Sequence, residues 1–185
     1  MLDALSPARS LPITVGTAHL IIQGTLHTRL HRLTDVLNEP DAEHLVLFDA
    51  TFMEVGSRRV IAGPSVAQIQ LADLLFAHVE GPTESETEMR MPKQAVRTVL
   101  LAPPFTVEGQ IHLPYEAELH MALDAFGGRF LAVTDARYWA YSVAESPNHA
   151  DLLLLNHART HVAIPAGVEW RREPHASGPG ASNPW

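Results

Sequence analysis

A chain of 185 residues with 46% hydrophobic content is long enough to bury a sizeable core, and 21 acidic against 13 basic residues leave a formal charge of −8. That balance works against sustained contact with nucleic-acid phosphates or anionic lipid. The absence of cysteine removes disulfides, thiolate zinc sites and a cysteine nucleophile.

Residues 1–16 are expected to form a leader. An acid near the start and the lack of a long apolar run argue against a signal peptide or a membrane span, so the expectation is a cytoplasmic protein with no membrane insertion. Residues 17–27 are rich in β-branched residues and partly alternating, as a strand would be, and Gly24 lies within them. Leu30, Leu33, Val36 and Leu37 then recur at helical spacing, and residues 38–41, Asn-Glu-Pro-Asp, supply a stop. Strands are expected over 44–54, its repeated segment closing in Asp49-Ala50, and over 58–62. Residues 65–80 fit either period and are assigned to a strand on the evidence of a repeat.

Residues 82–94 carry prolines and spaced glutamates and are expected to form an acidic linker. Residues 94–101 alternate and suit a strand. After them the order returns: a strand over 105–113 containing Gly109 and His112, a helix over 116–126, a strand over 129–142 containing Asp135, and a long strand over 150–164. Residues 169–185, rich in Gly, Pro, Ser and Ala, make a tail ending in Trp185.

The repeat is visible in the letters. Residues 20–27 (LIIQGTLH) correspond to 105–112 (FTVEGQIH), and 47–52 (LFDATF) to 133–138 (VTDARY), at separations of 85 and 86. The expected architecture is therefore mainly β, with two pseudo-equivalent small barrels or sheets at 17–81 and 95–168, each carrying one short helix.

Several clusters carry possible chemistry. Eleven histidines make a metal site worth testing, and His27, His112, His157 and His161 are its candidates, because the first two hold equivalent strand positions and the last two are four apart on one expected strand. Histidines on half-buried strands more often bond a backbone carbonyl. Asp49 and Asp135 suit a structural role with Gly24 and Gly109, each carboxylate accepting backbone N–H bonds from a following turn. The rival use, a pair of catalytic carboxylates, requires the two to meet. No nucleophile elbow or phosphate loop is present, so no catalytic residue and no cofactor is assigned. Trp139 and Tyr141 share one strand face and Tyr138 takes the other, giving one face to the core and one to an interface that includes Trp139, Tyr141 and Trp185.

The glycine followed by an apolar-His pair, the Asp35-Val36-Leu37-Asn38 helix end, the strand closing in Asp-Ala and the late Leu155-Asn156-His157 resemble a group of uncharacterised bacterial proteins built on one small barrel-like domain. There is a weaker likeness to the Sm-like small barrels. These resemblances imply a β-barrel fold and strand-mediated assembly, and they carry over no activity. The expected function is that of a non-catalytic accessory protein that binds a protein partner, or itself as an oligomer, through sheet edges and its tail. The alternative is a small-ligand or metal sensor using histidines near the junction of the two units.

Overall fold

The computed structural model describes residues 8–30, 32–81, 93–115, 117–141 and 146–165. In chain order its elements are β1 (Arg9–Gly16), β2 (Leu20–Thr28), α1 (Leu33–Leu37), β3 (His44–Glu54), β4 (Val60–Ala62), β5 (Val66–Gln70), a 3-10 turn (Leu71–Asp73) and β6 (Phe76–Val79). There follow β7 (Lys93–Ala102), β8 (Phe105–Pro114), α2 (Leu119–Asp124), β9 (Phe130–Ala140), β10 (Asn148–Asn156), a second 3-10 turn (His157–Arg159) and β11 (Val162–Pro165). The fold is mainly β, as expected. All eleven strands belong to one antiparallel sheet of order β11-β7-β8-β9-β10-β6-β1-β2-β3-β4, with β5 also on β3. No helix among the described residues is long and apolar enough to cross a membrane.

Local chemistry explains the hairpins. Thr17 closes β1 onto β2: its hydroxyl accepts the N–H groups of His19 and Leu20 at 3.3 and 3.0 Å, and its own N–H reaches the Leu20 carbonyl at 2.8 Å. The β2–β3 ladder shifts register between Gln23 and Thr25, and the β8–β9 ladder between Glu108 and Gln110, so Gly24 and Gly109 each mark a bulge. Opposite them Asp49 and Asp135 both stand at φ 49°. Aspartate tolerates that left-handed conformation better than most residues, and the repeated letters of the sequence thus coincide with one repeated backbone irregularity.

Several boundaries differ from expectation. Arg9–Gly16, assigned above to a leader, is strand β1, with Ile13 and Val15 fully buried between β2 and β6. The stretches 65–80 and 150–164 are each two strands broken by a 3-10 turn, which carries the chain from one neighbour to another: from β3 to β1 after Gln70, and from β9 to β7 after Asn156. Lys93 and Gln94 open β7, which shortens the acidic segment; the rest of it and the C-terminal tail lie outside the described residues.

Two apolar clusters form the core, and each draws on both halves of the chain. Phe130 and Leu154 pack with Ile13, Leu37, Leu47 and Leu74, whereas Ile21, Leu75 and Phe76 pack with Phe105, Val133 and Tyr138. Phe76 meets Phe105 edge-on at 5.0 Å and Tyr138 tilted at 4.8 Å. Gly16 makes room for it, since a Cβ there would stand 2.2 Å from the Phe76 ring.

Candidate functional site

The halves of the chain meet where β10 lies along β6, with Leu154 opposite Ala77 and Leu155 opposite Phe76. Asn156 extends this joint. Its N–H donates to the Leu75 carbonyl at 2.8 Å and its side-chain amide donates to the Leu74 carbonyl at 2.8 Å. Asn38, at the end of α1, clamps the start of β9: its Oδ1 accepts the Phe130 N–H at 2.7 Å and its Nδ2 donates to the Phe130 carbonyl at 3.1 Å. Arg129 donates to the Ala42 carbonyl at 2.8 Å.

A polar cleft of ≈ 450 Å³ lies beside the joint, lined by Thr14, Gln23, Arg58, His78, Glu80 and Tyr138 among others. The Glu80 carboxylate accepts from the Thr14 hydroxyl at 2.7 Å and the Gln23 amide at 3.0 Å. His78 Nδ1 stands 3.2 Å from the Val79 carbonyl and its Nε2 2.9 Å from the Tyr138 hydroxyl. A carbonyl can only accept, so Nδ1 carries the proton and Tyr138 donates to Nε2. Burial lowers the His78 pKa from 6.5, opposed by the Val79 carbonyl and Glu80, and burial pushes the Tyr138 hydroxyl up to about 12. The result is a neutral pair, each satisfying the other. Sequence reasoning missed His78 as a site residue, because nothing local marks a histidine whose partner is sixty residues away.

The histidines proposed for metal do not come together as a set. His27 is exposed and stacked on Phe48 at 4.6 Å, and His112 bonds the Thr134 hydroxyl at 2.8 Å. His157 opens a 3-10 turn and packs edge-on against Phe126, so it and His161 are not four apart on one strand. Both instead line a groove of ≈ 420 Å³ between α2 and β11, with His120 and Asp124. Among the described residues no three His, Cys, Asp or Glu side chains are arranged to hold a metal ion.

Asp49 and Asp135 lie within β3 and β9, not at strand ends, and five strand spacings separate those strands. At about 4.8 Å per spacing that is ~24 Å measured along the ladder. The Asp135 carboxylate faces His149 at 3.4 Å and Arg97 at 3.7 Å. Of the aromatic run, Tyr138 is buried, Trp139 is half-buried opposite Thr106, and Tyr141 is 61% exposed. Trp185 lies outside the described residues.

Among the described residues the sheet ends in β11 on one side and in β4 and β5, both on β3, on the other. Among the described residues β11 ladders with β7 alone and β5 with β3 alone. Neither strand carries a charge: β5 reads Val-Ala-Gln-Ile-Gln and β11 Val-Ala-Ile-Pro. No family model, no curated protein and no solved structure matches this chain.

Proposed function

We propose that this is a non-catalytic assembly protein, two pseudo-equivalent small β units in tandem, that joins a protein partner through its free sheet edges. One observation carries the reading: among the described residues β5 and β11 are uncharged outer strands with no second strand beside them. Outer strands of stable monomers are usually guarded by lysine, proline or a bulge, since unpaired N–H and C=O groups invite another strand. Here the guard is absent over the whole of β5, where Val66 is 53% exposed. The sensor alternative has less support, because of its four named histidines only His157 and His161 share a groove, while His27 and His112 stand apart from it.

The full-length protein recovered from its own cells under gentle lysis is expected to run well above the 20.3 kDa of one chain. In that complex the backbone amides of β5 and β11 exchange hydrogen more slowly than in the diluted single chain. Recovery at the single-chain mass, with both edges exchanging freely, would overturn the proposal.

A further inference from the structure

We infer that the partner is a second copy of this chain, docked head to tail with its β5 edge along β11 of the first and its end seated in the groove between α2 and β11. The inference rests on the assembly reading above and names the occupant of the same edges.

The internal joint supplies the template. Leu33, Leu37, Leu45, Leu71, Leu74 and Ala77 of the first half are buried, and they surround Phe130 and Leu154 of the second. The residues 86 positions later are Leu119, Leu123, Leu131, His157, Thr160 and Ala163. These six line the open groove. The groove is thus the second half's version of a seat that, in the first half, Phe130 and Leu154 already fill.

Backbone geometry on the two seats agrees. Leu71 donates to the Glu43 carbonyl at 2.8 Å and His157 to the Arg129 carbonyl at 2.9 Å. Leu74 donates to Leu71, and Thr160 to His157, at 3.3 and 3.1 Å; Leu75 donates to Gly16, and His161 to Leu101, at 2.8 Å each. The carbonyls that receive Asn156 at the joint, those of Leu74 and Leu75, therefore have counterparts at Thr160 and His161.

The incoming strand matches as well. In β5 the position of Asn156 is held by Gln70, another carboxamide, exposed and extended at φ −67°. Its N–H and side-chain amide take the parts that Asn156 plays at the joint, donating to the His161 and Thr160 carbonyls of the first copy. Asp124 stands where Asn38 clamps Phe130 and offers a carboxylate to the incoming His44 N–H.

The differences also have a reason. His44 and Gln68 replace Phe130 and Leu154 on the incoming face, Glu43 replaces Arg129, and His157 and His161 replace Leu71 and Leu75 in the seat. The contact between copies is more polar than the internal joint, as suits a surface that must stay soluble before assembly, and Glu43 approaches a seat lined by imidazoles. A contact between unlike surfaces is not self-limiting: it closes into a ring where the rotation permits and otherwise extends as a filament.

The purified chain alone, measured by light scattering across a dilution series, is expected to give a multiple of 20.3 kDa or a polymer. Gln70→Pro removes the docking N–H at a φ that proline adopts, and Asp124→Arg alters an exposed groove residue. With circular dichroism confirming that each variant is folded, each is expected to fall to the mass of a single chain. Mixed, they regain one intact joint and form a two-chain particle with nothing larger. Three results overturn the inference: a wild-type chain that stays single at every concentration, variants that keep the wild-type mass, or folded variants whose mixture yields no two-chain particle. A purified chain that stays single while the cellular preparation is larger removes the second copy and leaves the assembly reading standing; single in both removes both.

Discussion

Asp49 and Asp135 share one left-handed backbone conformation, φ 49° in each, opposite a glycine where the ladder shifts register. A left-handed residue at the bulge costs a β-branched side chain about 1–2 kcal/mol more than it costs asparagine or aspartate. Asp49→Asn is accordingly expected to leave the urea midpoint unchanged, and Asp49→Val to lose about that amount. Gly109 is the tighter of the two bulge glycines: a Cβ there would stand 2.5 Å from Val133 Cγ1, against 3.1 Å from the nearest atom at Gly24. Gly109→Ala should therefore destabilise more than Gly24→Ala, within the roughly 1–3 kcal/mol typical of overpacking. The His78–Tyr138 pair makes stability depend on pH. Since the folded chain refuses a proton that an unfolded histidine takes up below 6.5, stability is full above that pH and declines as pH falls beneath it. In His78→Gln that part of the acid slope is missing. Parallel curves for the two proteins would refute the assignment. At the alkaline end the sign reverses: unfolded tyrosine ionises near 10.0 while folded Tyr138 holds its proton to about 12, so stability declines as pH rises between them.

Among the elements, α1 matters chiefly for what it carries at its end. Asn38 was legible as a helix stop, but its clamp on Phe130 spans 92 residues and leaves no local trace. Asn38→Ala strips a partner from both the N–H and the carbonyl of Phe130 and is expected to cost about 1–3 kcal/mol in urea unfolding. Asn38→Asp keeps the acceptor and loses the donor, so it should fall between the two. An alanine variant as stable as wild type would show the clamp to be incidental. Strand β1 was hidden by Pro12, because a proline inside a strand ordinarily marks an edge or a break. The ladder to β6 begins only at Ile13, so the absent N–H of Pro12 lies just past its end, and the strand survives. The long strand expected over 150–164 failed for a related reason. Its apolar run suits one strand, yet Asn156 turns its amide to Leu74 and a 3-10 turn at His157 carries the chain from β9 to β7.

At the scale of the molecule, the sheet runs through the joint and each core cluster borrows side chains from the other half. Far-ultraviolet and near-ultraviolet circular dichroism should therefore report one coincident unfolding transition, with no step in which one half melts alone. Two separate transitions would mean that the joint contributes little. The mainly β character, the helix positions and the paired bulge residues were determined by the sequence itself, because alternation, helical spacing and left-handed tolerance are properties of a few neighbouring residues. Which strands lie side by side across the halves, why Leu71 and Leu74 are covered while His157 and Thr160 line an open groove, and why His78 faces Tyr138 were decided only by tertiary structure. Those pairings join residues some 60 to 90 positions apart, and burial of a shared core selects them.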